Sequence, residues 1–418
     1  MTYPQIRPKV IFDFQNSRQL DHRITFSRTS GANYHNPDTG LVTLTPVNVA
    51  RFEKKGLLIE EAGTNVLNWH YPSTVSNAPN YSHSSNHRTT ITGLAATAPD
   101  GTQTACRVTE NLGTDDQGHK FRTTNIQGTA GKRYSFSCYV KAGERTHVVI
   151  TRGMSRLAGA DGSGYFSVQA NLEIGEIVGT NNVNSEDIIF EYISNGWYRF
   201  GVTCNCITTG AINVNYQMTD GGSDFKHIGD GTSGMFFWGN QAEESDFVTS
   251  LMRSEGSQAS RAADTAHITL NNFSSWYNQT EGTMLVSVTN GIRAKDGANL
   301  YGSGNVRRVM LNQSNFRLRY QTVGSVTTFQ NVNIDSANNV RTANPLKYAY
   351  AYKPKDYALS ANGSTSTDTI RKPTTTVNRM LLGEESAFGG SGRLNGAISR
   401  IAYYDRRLSN AEMEAITS

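Results

Sequence analysis

Cysteine is scarce in this chain. Its 418 residues carry four, Cys106, Cys138, Cys204 and Cys206, too few for a disulfide framework. Cys204 and Cys206 lie two apart in a strand-like run, so both point to one face. A metal site needs three or four ligands close together, and no partner motif flanks the pair. The four thiols are therefore expected to be small buried apolar groups. Charge is scarce as well, at 18% of residues. The net charge is +4 and no Lys/Arg run exceeds a pair, so the basic stripe of a nucleic-acid binder is missing. No apolar run approaches the ~20 residues of a membrane span. The opening "MTYPQIRPKVIFDFQNSRQLDHR" has no apolar secretory core. These absences predict a soluble chain made in the cytoplasm, or one exported by a route the sequence does not reveal, with no nucleic-acid partner and no membrane insertion.

Catalytic signatures are missing too. There is no G-x-S-x-G elbow, phosphate-binding Gly loop or dinucleotide fingerprint. His83 and His87 are four apart in "SHSSNH", but the context is a Ser/Asn-rich loop and no Glu follows the first His. Paired acids occur at Glu60-Glu61, Asp115-Asp116, Glu243-Glu244 and Glu384-Glu385. A glycosidase needs two carboxylates facing each other across a cleft. Neighbours on a strand point to opposite faces, so such a pair cannot serve alone. No catalytic residue is expected, and a polysaccharide-degrading enzyme is the least favoured reading.

What is plentiful is the material of strands and turns. Glycine (39), tyrosine (19) and phenylalanine (17) are abundant. "KRYSFSCYV" puts Tyr134, Phe136, Cys138 and Val140 on one face. "GWYRFGVTCNC" does the same with Tyr198, Phe200, Val202, Cys204 and Cys206, leaving Trp197 opposite. "NFRLRYQ" alternates Phe316, Leu318 and Tyr320 against Arg317 and Arg319. "LKYAYAYK" stacks Leu346, Tyr348, Tyr350 and Tyr352. Asn362-Gly363 is a two-residue hairpin signal. Helical periodicity is nearly absent until "LSNAEMEAITS", where Ser409 and Glu412 form a capping box and Leu408 and Met413 a hydrophobic staple. A helix of about two turns is unstable alone, so it must dock on the sheet that its preceding strand feeds.

The expected fold is all-β: two β-sandwich (jelly-roll) domains after a short β-rich N-terminal segment, with one short C-terminal helix. The expected boundaries are 1–64, 65–262 and 263–418, the last entered through "RSEGSQASRAADTA".

Several stretches carry a resemblance. "ITFSRTSGANYHNPDTGLV", "VARFEKKGLLIEEAGTNVL", "APDGTQTACRVTE", "GTAGKRYSFSCYVKAGER", "NGWYRF" and "GTSGMFFWGNQAEESDFVTS…SRAADTA" resemble, in this order, bacteriophage and prophage tail or tail-fibre proteins with a carbohydrate-binding-module-like jelly roll. "YAYAYKPKDYALSANGS" through "LNGAISRIAYYDRRLSNAEMEAIT" is similar to a laminin-G/concanavalin-A-like lectin domain. The resemblance implies a non-enzymatic virion component, a tail fibre, appendage or head-attached decoration. Its partners would be other virion proteins and a host-surface glycan, and the symmetry common among such appendages suggests a homotrimer. A purely structural decoration protein is the alternative. Fold does not fix function.

Sugar sites pair an aromatic platform with amides and carboxylates. Candidates are Trp197, and Trp238 with Asn240, placed on one face by strict alternation. The competing reading makes both tryptophans core, since large aromatics are highly buried on average. In the C-terminal domain the candidates are Tyr301, Tyr320 and Asn362, with Arg317, Arg319, Asp356 and Asp368 nearby. Calcium needs several oxygen ligands and no compact Asp/Asn cluster appears, so no cofactor is expected, with calcium the only one worth considering.

Overall fold

The computed structural model describes residues 7–72, 81–82, 88–113, 118–162, 164–289, 298–302, 305–311, 316–322, 325–332, 346–369, 377–384 and 393–418, those at 81–82, 298–332 and 368 by backbone alone. The chain forms two compact units. One comprises 1–31, 45–62 and 262–418; the other comprises 32–44 and 63–261. The N-terminal stretch that the sequence sets apart is thus divided between them. The reason is strand pairing. Val10–Asp13 and Gly56–Ile59 both pair antiparallel with Gly396–Tyr404, so they are structural members of the C-terminal sandwich.

The first unit is a β-sandwich. Its eight-stranded sheet runs Ser364–Asp368, Asp356–Ala361, Leu346–Lys353, Gly282–Thr289, Gly396–Tyr404, Gly56–Ile59, Arg51–Glu53, with Val10–Asp13 also on Gly396–Tyr404. Its seven-stranded sheet runs Thr25–Ser27, Thr265–Thr269, Arg379–Leu382, Ala298–Gly302, Asn305–Leu311, Phe316–Thr322, Ser325–Val332. Leu346, Tyr348, Tyr350 and Tyr352 face the core with Met284, Val286, Ile268 and Met380, as period-two alternation requires. Asn362 and Gly363 both have positive φ (44° and 80°) between paired strands, the backbone of a type I′ hairpin turn.

The C-terminal helix spans Asn410–Thr417 with a complete capping box: Ser409 Oγ accepts from Glu412 N and the Glu412 carboxylate accepts from Ser409 N. Met413 and Ile416 of this helix, with Leu408 just before it, pack on Ala349, Ala351, Ala358 and Ala402. Small residues on the outward face of the sheet let the helix lie close. Two single-turn helices, Phe14–Ser17 and Asn271–Ser274, also occur; helices this short leave no periodic signal in sequence.

A buried ionic network locks this unit. Arg51 donates to Glu60 Oε2 at 2.8 Å and to Asp264 Oδ2 at 2.5 Å. Arg28 donates to Asp264 Oδ1 at 3.1 Å and to Thr45 Oγ1 at 2.8 Å. The Glu60 and Asp264 backbones exchange a further bond, N of Asp264 to O of Glu60 at 2.9 Å. All four ionic side chains are buried. They come from "FSRTS", "VARFE", "GLLIEEA" and "SRAADTA", so these family-like motifs are structural clamps.

The second unit is also a sandwich. Its seven-stranded sheet runs Leu157–Ala158, Trp197–Cys206, Arg133–Ala142, Gly234–Glu244, Ala105–Glu110, Thr89–Ala96, with Ile188–Ser194 also on Trp197–Cys206. The opposing six-stranded sheet runs Glu176–Asn181, Ser167–Asn171, His147–Arg152, Val214–Thr219, His119–Thr123, Tyr81–Ser82. Phe136, Cys138, Phe200, Val202 and Phe237 from one sheet meet Val148, Ile150, Val168, Tyr216 and Phe121 from the other. All four cysteines are free and buried here, and burial pushes the Cys106 thiol up to about 12.

Candidate functional site

A sandwich has two outer faces, and in the second unit they differ. On the seven-stranded sheet, Tyr139, Trp197 and Trp238 point outward but are covered by Val42, Ala98 and Leu251, forming a second apolar layer. Trp197 is 2% exposed and Trp238 0%. Their indole N–H groups donate to Thr97 O (3.2 Å) and Thr104 Oγ1 (3.0 Å), which satisfies the one polar group of each buried ring. Arg199 bonds Tyr139 Oη, Ser137 Oγ and Thr249 O in the same layer. Both tryptophans are core residues, and neither offers a face to a sugar.

Asn240 corrects the alternation. Phe236 and Trp238 do share a face, but the register of Gly234–Glu244 shifts against Ser137/Tyr139 and Gly239 has φ 60°. Two residues then oppose one, a β-bulge. Beyond it Ala242 faces the core and Gln241 faces outward with Thr249, so Asn240 falls on the face opposite Trp238. It is fully buried.

The outer face of the six-stranded sheet is polar. Strand register places its side chains in three rows. One row is Arg122, Asn215, Thr151, Ser167, Asn181. The next is Lys120, Gln217, Val149, Gln169, Gly179. The third is Thr219, His147, Asn171, Glu176. The local cause is plain alternation: in "VNYQMT" Val214, Tyr216 and Met218 enter the core, which turns Asn215, Gln217 and Thr219 outward.

These groups are tightly arranged. Asn215 Nδ2 donates to Thr151 Oγ1 at 3.1 Å, and Gln169 Nε2 to Thr219 Oγ1 at 3.3 Å. Gln217 Nε2 donates to Phe225 O. Tyr165, 42% exposed, hydrogen-bonds Thr151, and burial against this surface raises its phenol pKa. Asn215 is only 6% exposed, yet its Oδ1 has no hydrogen-bond partner among the described residues. Neither have Asn213 Oδ1 and Arg122 Nε. A buried polar atom without a partner is uncommon. Aromatic ring, amides, hydroxyls and guanidinium within one surface form a chemical set suited to a sugar, whose CH faces stack on rings and whose hydroxyls donate and accept.

A second polar cluster centres on Glu110. Glu110 accepts from Arg145 Nε (3.0 Å) and Nη2 (2.6 Å), His227 Nε2 (2.7 Å) and Asp230 N (2.8 Å). Burial alone would raise its pKa, but these donors hold it lowered. His119 lies beside His227, its ring nitrogens 3.0 Å from Arg88 O and 3.1 Å from His227 O. Glu110, His119 and His227 have ligand atoms close enough for a metal, but a cation would have to displace the Arg145 guanidinium. The arrangement is a hydrogen-bond network.

The remaining candidates separate. Asn362 forms the hairpin, its Oδ1 accepting from Lys347 N at 3.3 Å. Tyr301 and Tyr320 occupy strands Ala298–Gly302 and Phe316–Thr322, and their side chains lie outside the described residues, as do those of Arg317, Arg319 and Asp368. The Asp356 carboxylate is engaged by Arg407 at 2.9 Å. Glu60 and Glu243 are buried, bonded to Arg51 and Thr249 respectively, and Glu244 pairs with Lys132 at 3.0 Å. Glu384 pairs with Arg393 at 3.2 Å. His83, His87, Asp115, Asp116 and Glu385 lie outside the described residues.

No family model matches the chain, and no curated protein matches it in sequence. Among solved structures, it is similar to the CBM40 of the Ruminococcus gnavus IT-sialidase bound to α2,3-sialyllactose: 20% identity over 33% of this chain and 83% of that one, TM-score 0.23. Domains LG4-5 of the mouse laminin α1 chain align with 72% of this chain and 91% of theirs, at 9% identity and TM-score 0.24. Trypanosoma rangeli sialidase with sialic acid aligns with 75% of this chain and 60% of its own, at 9% identity and TM-score 0.26. TM-scores of this size do not establish a shared fold; the two sandwiches stand on their own sheet topology.

Proposed function

We propose that this chain is a non-enzymatic glycan-binding protein of a virion, and that it binds through the outer face of the six-stranded sheet in its second unit. One observation carries the glycan reading. That face concentrates Asn215, Gln217, Thr151 and Gln169, all buried, beside the exposed Tyr165, with unpartnered Asn215 and Asn213 oxygens, whereas the opposite outer face is covered by apolar packing. The resemblance to tail and tail-fibre proteins motivates the virion setting and the homotrimer, in which weak sites would gain avidity. Host-surface sugars are the expected ligands.

The test is a glycan array probed with the intact chain and with Tyr165→Ala and Asn215→Ala. Binding by the intact chain that both variants lose, with melting curves still cooperative, is the expected result. No binding by the assembled oligomer to any host-surface glycan overturns it. Antibody labelling of particles, viewed by electron microscopy, places the chain on a fibre or on the shell.

A structural role is the second reading, and one observation favours it. Strand Ile188–Ser194 lies at a sheet edge and carries Tyr192, 58% exposed, in edge contact with Tyr198 at 5.3 Å. An aromatic sheet edge suits a protein neighbour. This reading predicts that Tyr192→Ser impairs particle assembly and leaves adsorption intact.

A further inference from the structure

Lys120 and Arg122 lie two apart on strand His119–Thr123, on the same polar face. Phe121 between them is in the core, which fixes both neighbours outward. No ion pair joins either one to an acid among the described residues, and Arg122 Nε is buried without an acceptor. Burial lowers the Lys120 pKa, and Arg122 is the one charge that adds to this shift. Two like charges sit side by side in a partly desolvated place, an arrangement that costs free energy unless an anion joins them.

Among the described residues, the acids of this face lie at a distance from this pair. Glu176 ends the third row, on the strand four positions across the sheet from His119–Thr123. At one strand spacing per step that is about 19 Å away, beyond the ~8 Å screening length of physiological salt. Asp220 accepts from Gly222 N at 3.0 Å within its own turn. The row that carries Arg122 continues directly into Asn215 and Thr151, and Thr151 holds Tyr165. The positive end and the sugar-like end are therefore one continuous surface.

We propose that the ligand is an acidic glycan, whose carboxylate or sulfate sits at Lys120 and Arg122 while its ring and hydroxyls meet Tyr165, Thr151 and Asn215. This rests on the glycan reading above and sharpens it. A guanidinium next to an ammonium recognises a planar carboxylate or a sulfate by charge-assisted hydrogen bonds. Two cations flanked by amides suit one acid group per few sugars; a polynucleotide would call for a longer basic stripe.

The experiment uses the intact chain and matched oligosaccharide pairs: sialyllactose with lactose, oligogalacturonate with its methyl ester, and a sulfated with a desulfated chondroitin oligosaccharide. Binding is read by titration calorimetry at two salt concentrations. The expected result is that the acidic member of at least one pair binds roughly ten- to a hundredfold tighter than its neutral counterpart, and less so at high salt. Lys120→Gln with Arg122→Gln abolishes that preference, while Lys120→Arg keeps it. Equal binding of neutral and acidic members overturns the acidic assignment and leaves the glycan reading standing. Binding to none of them, together with a blank host-surface glycan array, overturns both. A single-stranded oligonucleotide that competes as well as the acidic sugar also overturns the assignment. If the double variant loses its cooperative melt, the charge-keeping Lys120→Arg and a charge-removing Arg122→Met decide between these outcomes.

Discussion

Replacing Asp264 with Ala tests the buried network directly. Asp264 is fully buried and accepts from Arg28 at 3.1 Å, Arg51 at 2.5 Å and Glu60 N at 2.9 Å. The network holds two guanidinium groups, Arg28 and Arg51, against two carboxylates, Glu60 and Asp264. Its formal charge is zero. Asp264→Ala leaves it with two guanidinium groups against one carboxylate and removes the Arg28–Asp264 and Arg51–Asp264 ion pairs. Removing one partner of a buried pair costs about 3–5 kcal/mol, because the remaining charge stays desolvated. For a unit of roughly two hundred residues each kcal/mol moves Tm by about 2–4 °C, so the expected fall is about 6–20 °C. Asp264→Asn keeps the shape and loses the charge, and it should fall by a similar amount. The comparison is Asp405→Ala, which removes an exposed pair with Lys9 at 3.3 Å; surface pairs contribute about 0–1 kcal/mol. Differential scanning calorimetry of the intact chain reads all three. If Asp264→Ala and Asp405→Ala shift the transition equally, the charge-balance argument is wrong.

Three further outcomes are expected. Ser409→Ala removes the side-chain half of the capping box and should lower stability by ~1 kcal/mol; an unchanged melt would refute the cap, and glycan binding should not move. His70 is buried, with its pKa lowered to about 4 by desolvation. The unfolded chain takes up that proton near pH 6.5 and the folded chain resists it, so stability is full above about 6.5 and falls towards pH 4, by up to ~3 kcal/mol; His70→Gln should flatten that slope in a pH series of melts. Trp238→Ala should destabilise by about 3–5 kcal/mol as a core truncation, whereas Trp197→Phe should retain glycan binding; selective loss of binding with an unchanged melt would show either ring to be a platform instead.

The strands were legible because their chemistry is local. "KRYSFSCYV" and "LKYAYAYK" assign their faces by alternation alone, and the core residues follow it. The hairpin at Asn362-Gly363 and the cap at Ser409 were legible for the same reason: a positive-φ pair and a Ser-x-x-Glu spacing each act within four residues. Asn240 was misplaced because a bulge at Gly239 breaks the period, and a glycine in a strand gives only a weak hint of it. The candidate surface was visible in half. "VNYQMT" and "HKFRT" alternate cleanly, and their polar halves were there to be read, but polar halves of strands ordinarily face water.

By itself the sequence determined an all-β chain of two sandwiches closed by one capped helix, because side-chain alternation and capping are properties of neighbours. Tertiary structure decided which outward faces stay polar. Tyr139, Trp197 and Trp238 were buried by Val42, Ala98 and Leu251 from distant segments, while Lys120, Gln217 and Thr151 were brought together because Val214–Thr219 pairs with both His119–Thr123 and His147–Arg152, strands distant from it in the chain. Tertiary structure likewise assigned Val10–Asp13 and Gly56–Ile59 to the C-terminal sandwich. Pairing partners hundreds of residues apart leave no mark in local period, and burial depends on what else arrives at a face.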